Sequence, residues 1–213
     1  MRCDKKDLLL YGVTDRSWLG DRTLAQQVEA SLRGGATMIQ LREKHMDRGS
    51  ILAQALELRE LCGRYGVPLI LNDDAELAQA AGADGVHVGQ SDMEAGRVRA
   101  LLGEDKLIGV SARTVEQALA AQAAGADYLG VGEMFPTGTK QDTRPVSYDT
   151  LKAICAAVDI PVVAIGGIGA GNVAELAGSG IAGVAVVSAL YAQPDVEAAT
   201  RSLRAQVERV VGP

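Results

Sequence analysis

The chain has 213 residues, 47% hydrophobic and 23% charged, with a formal net charge of −6. This is a globular composition sized for one or two domains, and the acidic balance with only 3% aromatic residues excludes a general nucleic-acid surface. Cys3, Cys62 and Cys155 are scattered and odd in number, which argues against a disulfide framework or a zinc site. With no apolar run of membrane-spanning length and no secretory pattern, the expected setting is the reducing cytoplasm, away from any membrane.

Taken in order, the first strand covers residues 8–13 and ends in Thr14-Asp15-Arg16; a helix follows over 23–32 and closes at Gly34-Gly35. The second strand is 37–41, running into Arg42-Glu43-Lys44, and its helix spans 50–65 up to Gly66. Strand three (69–71), a helix (74–81) closed by Gly82 and strand four (85–88) form a strand–helix–strand unit, so both strands run parallel with their carboxyl ends on one rim. A helix over 93–102 precedes strand five (107–111), and Thr114 is placed to cap the next helix, 114–124. Strand six (128–131) leads into a long loop, 132–145, then a helix (147–158) and strand seven (161–165). A short helix (171–177), strand eight (183–187) and a final helix (195–210) complete the chain.

Strand and helix patterns thus alternate eight times, and the joints AAGADGVHVG, AAGADYLGVG and GSGIAGVAVV repeat the same helix end, glycine and strand. This predicts an α/β fold, a single-domain (β/α)8 TIM barrel over residues 1–213, with few insertions. An open doubly wound sheet is the alternative, but no GxGxxG follows the first strand.

The chemistry should then lie at the strand ends. Alternation puts Ile39 and Leu41 toward the helices and Gln40, Arg42 and Lys44 toward the barrel mouth. Cations there need a partner, and two of them beside a glutamine suit an anionic ligand better than an internal ion pair. Asp73 and Asp92 follow strands three and four. Singly, each reads as a helix N-cap, and Ser91 with Glu94 fits a capping box. Together, facing two cations, they read as a Mg²⁺ site bridging to a diphosphate.

Ser111 closes strand five and is equally readable as a helix-entry hydroxyl. Thr137, Gly138, Thr139 and Lys140 in the long loop make a phosphate clasp, though TGTK is weak on its own. Residues 166–169 after strand seven, with Val187 and Ser188 after strand eight, occupy the phosphate position of such barrels. His87 reads as a buried, satisfied histidine and His45 as an exposed one. Two anion subsites on one rim suit the joining of two phosphorylated small molecules with release of diphosphate.

The ordered motifs YGVTDR, IQLREK, LILNDD, GVHVGQSDM, FPTGTK, PVVAIGGI and GVAVVSAL resemble the thiamine phosphate synthase family over nearly the whole chain. The resemblance implies a transferase of thiamine biosynthesis that joins hydroxymethylpyrimidine diphosphate to hydroxyethylthiazole phosphate or its carboxylated form. Gln40, Leu41, Arg42, Glu43, Lys44, Asn72, Ser111 and Lys140 would bind the pyrimidine diphosphate. Arg42, Lys44, Ser111 and Lys140 would carry the catalysis, and Asp73 and Asp92 would hold Mg²⁺. Thr137, Gly138, Thr139, Gly167, Val187 and Ser188 would hold the thiazole phosphate. A homo-oligomer is compatible with this reading. The related thiazole tautomerase would need a histidine near the end of strand five, where this chain has Ser111-Ala112-Arg113.

Overall fold

Short Val-, Ile- and Leu-rich runs between glycines form strands buried on both faces, and these close on themselves. The computed structural model describes residues 3–137 and 145–212. The strands β1 (Leu10–Val13), β2 (Met38–Leu41), β3 (Leu69–Asn72), β4 (Gly85–Val88), β5 (Leu107–Ala112), β6 (Tyr128–Val131), β7 (Val162–Ile165) and β8 (Gly183–Val186) pair in sequence order, and β8 returns to β1. Every pairing is parallel, with Gly12 opposite Val186 at the closure. The predicted barrel is therefore the observed one.

Helices α1 (Leu24–Gly34), α2 (Arg48–Tyr65), α3 (Ala75–Ala81), α4 (Ala95–Leu102), α5 (Val115–Ala123), α6 (Tyr148–Ala157), α7 (Ser188–Tyr191) and α8 (Val196–Val211) lie outside the barrel strands. Most start at a side chain that accepts a free amide of the first turn. Thr23 and Gln26 form a full capping box, and Asp47, Thr114, Ser147 and Asp195 cap singly. The apolar outer faces of the strands, Ile39, Leu41, Val86 and Leu129 among them, pack with helix residues such as Val28, Leu58 and Val98. Inside, Tyr11, Met38, Ile70, Leu107, Tyr128 and Val163 form a second core that fills the barrel.

Three local expectations change. Residues 171–177 form no α-helix, only one 3₁₀ turn, Val173–Leu176, because Gly178 and Gly180 at positive φ (76° and 91°) break the chain directly after it. Leu8 belongs to a 3₁₀ turn, Lys5–Leu8, rather than to β1. Ser91 does not cap α4: Glu94 does so itself, accepting from the Gly96 and Arg97 amides.

Candidate active site

The carboxyl ends of the strands open into a cavity of ≈ 580 Å³. Its acidic side is built by a division of labour between neighbouring residues. Asp74, not Asp73, caps α3 by accepting the Leu77 amide, and Glu94, not Asp92, caps α4. Asp73 and Asp92 are thereby released to line the cavity. Asp73 adopts φ 66°, the left-handed conformation uncommon outside glycine, and its amide donates to the His87 carbonyl at 2.8 Å. Asp92 Oδ2 accepts the Gly89 amide at 2.7 Å.

These two carboxylates face one another closely enough to influence each other's charge. Burial opposes charge on Asp73, yet the Lys44 ammonium that donates to it, with Asp92 and Asn72 alongside, outweighs burial and holds its carboxyl below the usual range. Burial and the facing Asp73 carboxylate push Asp92 upward, against the Gly89 amide. Lys44 Nζ donates to Asp73 Oδ2 at 2.6 Å. Asn72 also lines the cavity, and its amide group supports Asp73. Two oxygens-only side chains whose charges repel in the bare protein fit Mg²⁺, which is held by one or two carboxylates and completes its shell with waters and phosphate oxygens. Among the described residues there is no cluster of three or more His, Cys, Asp and Glu able to cage a metal alone.

Arg42 reaches the same cavity, its backbone amide pinned to Thr14 Oγ1 at 3.0 Å, and makes no ion pair with a described carboxylate. Arg113, beyond the end of β5, also lines the cavity without an ion pair among the described residues. Sequence reading passed it over because an exposed arginine before a helix looks like an ordinary solvated residue. Leu41 and Glu43 are placed differently from their neighbours. Leu41 packs toward the helices, as strand alternation requires. The Glu43 side chain, 5% exposed, lies 2.7 Å from Arg16 Nε and ties the loop after β1 to the loop after β2. Burial raises its carboxyl despite that arginine. Neither side chain lines the cavity.

Below the charged rim, a row of polar side chains crosses the barrel. Gln40, Tyr11, Tyr128, His87 and Ser111 are joined in that order by hydrogen bonds. His87 is satisfied, as its position suggested, but through both ring nitrogens and while lining the cavity. The two tyrosines went unnoticed in the sequence. Strand alternation would have turned both inward, but nothing local shows that they meet.

Opposite the carboxylates lie the loops after β6, β7 and β8. Gly166 and Gly167 have φ 99° and 63°, and a Cβ on Gly167 would come within 2.5 Å of the Phe135 carbonyl oxygen. Only glycine lets these two loops touch. Asn172 locks the turn, accepting the Gly169 amide and donating to the Gly167 carbonyl, each at 2.9 Å. After β8 the short helix α7 was not foreseen. Its first residues, Ser188 and Ala189, have no acceptor within the helix for their amides, and Val187 and Ser188 line the cavity. Thr137 lines it too, its amide donating to Glu133 at 3.2 Å. Gly138, Thr139 and Lys140 lie outside the described residues.

A parallel eight-stranded barrel with carboxylates, cations and glycine-rich loops seven and eight around one mouth defines the class of barrel enzymes that handle phosphorylated small molecules. Residues 10–190 match the family described as thiamine monophosphate synthase. The thiamine-phosphate synthase of Ruminiclostridium cellulolyticum is 48% identical over 93% of this chain and 95% of its own. That of Chloroflexus aurantiacus is 50% identical over 94% and 93%. The solved thiamine phosphate pyrophosphorylase from Pyrococcus furiosus superposes with a TM-score of 0.90 at 38% identity, covering 98% of this chain and 99% of the other. The chain belongs to the thiamine monophosphate synthase family.

Proposed function

We propose that this mouth joins hydroxymethylpyrimidine diphosphate to hydroxyethylthiazole phosphate, or its carboxylated form, giving thiamine phosphate and diphosphate. The observation that carries the reading is the Asp73–Asp92 carboxylate pair beside Lys44 and Arg42, which makes no ion pair with a described carboxylate, set across one cavity from the Gly166–Gly167 and Ser188 loops. Relatives near 50% identity named for this activity support it.

In the reaction, the bond between the pyrimidine methylene carbon and the diphosphate oxygen breaks, its electron pair leaving with the diphosphate. The thiazole nitrogen supplies the pair for the new carbon–nitrogen bond and loses no proton, so no general base is required. Asp73 and Asp92 would hold Mg²⁺, which when bound would offset charge on the diphosphate. Arg42 and Lys44, with Lys140 from the loop after β6, stabilise the charge that grows on the departing oxygens. Gln40, Asn72 and Ser111 orient the pyrimidine. Thr137 and the amides around Gly167, Val187 and Ser188, with Gly138 and Thr139, grip the thiazole phosphate. Fixing both rings in one cavity contributes the remaining acceleration.

The test is incubation of the purified protein with both phosphorylated halves and Mg²⁺, following thiamine phosphate and inorganic diphosphate together. Equal yields of both are expected. Tight binding of either half with no product under these conditions would leave a phosphate-binding barrel without this activity.

A further inference from the structure

The polar row inside the barrel has a direction. Gln40 presents its amide nitrogen to Tyr11 Oη at 2.6 Å, and an amide nitrogen can only donate. Tyr11 therefore accepts there and sends its own proton to Tyr128 Oη, 3.0 Å away. Tyr128 in turn donates to His87 Nδ1 at 3.2 Å. A ring nitrogen that receives a proton is the bare one of a neutral imidazole, so the His87 proton sits on Nε2 and is donated to Ser111 Oγ at 3.0 Å. The Ser111 hydroxyl hydrogen is then left for the cavity that Ser111 lines.

The barrel is shaped around this row. A Cβ on Gly109 would run into the Tyr128 ring and His87 Nδ1, and one on Gly130 would lie 2.9 Å from His87 Cε1. Both phenols are fully buried, and burial pushes their ionisation upward, so they stay protonated and can pass a direction along.

We propose that Gln40 sets the polarity of a hydrogen-bond relay in which Tyr11, Tyr128 and His87 are positioning residues that hold Ser111 as a donor toward the ligand. The ligand chemistry selected is an acceptor lone pair at Ser111, such as a heteroaromatic ring nitrogen or a phosphate-ester oxygen. The catalytic part rests on the reaction proposed above; the tautomer does not.

The chain has two histidines, so a long-range ¹⁵N–¹H correlation spectrum of the intact protein carrying His45→Gln reports His87 alone. The expected result is a protonated Nε2 and a bare Nδ1, and Tyr128→Phe, which removes the donor to Nδ1, should erase that preference. In turnover, Tyr128→Phe should lower kcat about tenfold, the scale of one lost hydrogen bond, and cause no further loss in a Ser111→Ala background. Tyr11→Phe, one link further away, should act in the same direction and serves if Tyr128→Phe does not fold. A wild-type Nδ1–H tautomer, or losses that simply add in the double variant, would overturn the relay. The Nε2–H tautomer in a protein that makes no product would keep the relay and sink the proposed reaction.

Discussion

Lys44 Nζ and Asp73 Oδ2 stand 2.6 Å apart across two adjacent loops, one after β2 and one after β3, with side chains 43% and 32% exposed. An ion pair this open to water contributes at most about 1 kcal/mol to stability. Its consequence is positional: a cation is fixed beside a carboxylate pair that would otherwise repel an anionic ligand.

Lys44→Ala should therefore separate activity from stability. Turnover is expected to fall by ~10²-fold or more, the usual scale for removing one preorganised charge contact. The thermal midpoint should move by only a few degrees. Steady-state kinetics paired with calorimetry on the same sample checks both; a large drop in midpoint with normal turnover would make the pair structural.

Asp92→Asn should trade in the opposite direction. Burial and Asp73 raise the Asp92 carboxyl in the folded protein. Such a group adds stability below its unfolded pKa and loses that contribution as pH rises through the folded value. At neutral pH the ionised pair is thus a strain on the metal-free fold. Asparagine keeps an oxygen for the Gly89 amide and relieves the repulsion. The variant should melt higher than wild type at pH 7 without Mg²⁺, with the difference shrinking in acid. Its midpoint should also stop responding to Mg²⁺, whereas wild type rises with it.

Arg113→Ala should raise the KM for the pyrimidine diphosphate by about tenfold while leaving the fold intact, because the side chain faces the cavity with no ion pair among the described residues to lose. Titrating each substrate separately at two ionic strengths tests this. Unchanged KM values would place Arg113 among the solvated residues.

Gly167→Ala should distort the site and the fold together. The position has φ 63° and no room for a Cβ against the Phe135 and Pro136 carbonyl oxygens. The loops after β6 and β7 must part, which should raise the KM for the thiazole phosphate more than that for the pyrimidine diphosphate. The cost in stability is expected to exceed ~1 kcal/mol.

Arg99→Ala probes the opposite end of the barrel. The Arg99–Asp127 pair is only 14% and 11% exposed, and the guanidinium also donates to the Gly103, Lys106 and Gly125 carbonyls. Removing one partner of such a pair costs roughly 3–5 kcal/mol. Activity per folded molecule should nevertheless remain, since neither Arg99 nor Asp127 lines the cavity at the other rim. Denaturant titration alongside active-site-normalised turnover measures the two effects.

The strand runs, the helix ends at glycine and the position of Arg42 and Lys44 on the inward alternation were all legible in the chain, because each depends on neighbours a few residues away and on backbone sterics. So were the barrel and the family motifs, since a repeat of eight similar units needs no long-range information to be counted. What the sequence left open was which of two adjacent acids does what. Asp73 and Asp74 are chemically identical, and only the left-handed turn at Asp73 and the path of α3 assign the cap to one and the cavity to the other. Glu43 looked like part of a charged binding segment, and only the loop after β1 shows that Arg16 takes it. The relay from Gln40 to Ser111 is the extreme case. Tyr11 and Tyr128 are 117 residues apart and meet only because the barrel closes, with glycines at 109 and 130 leaving the space. Side-chain hydrogen bonds across a closed barrel depend on closure and volume, and neither is a property of any local stretch of sequence.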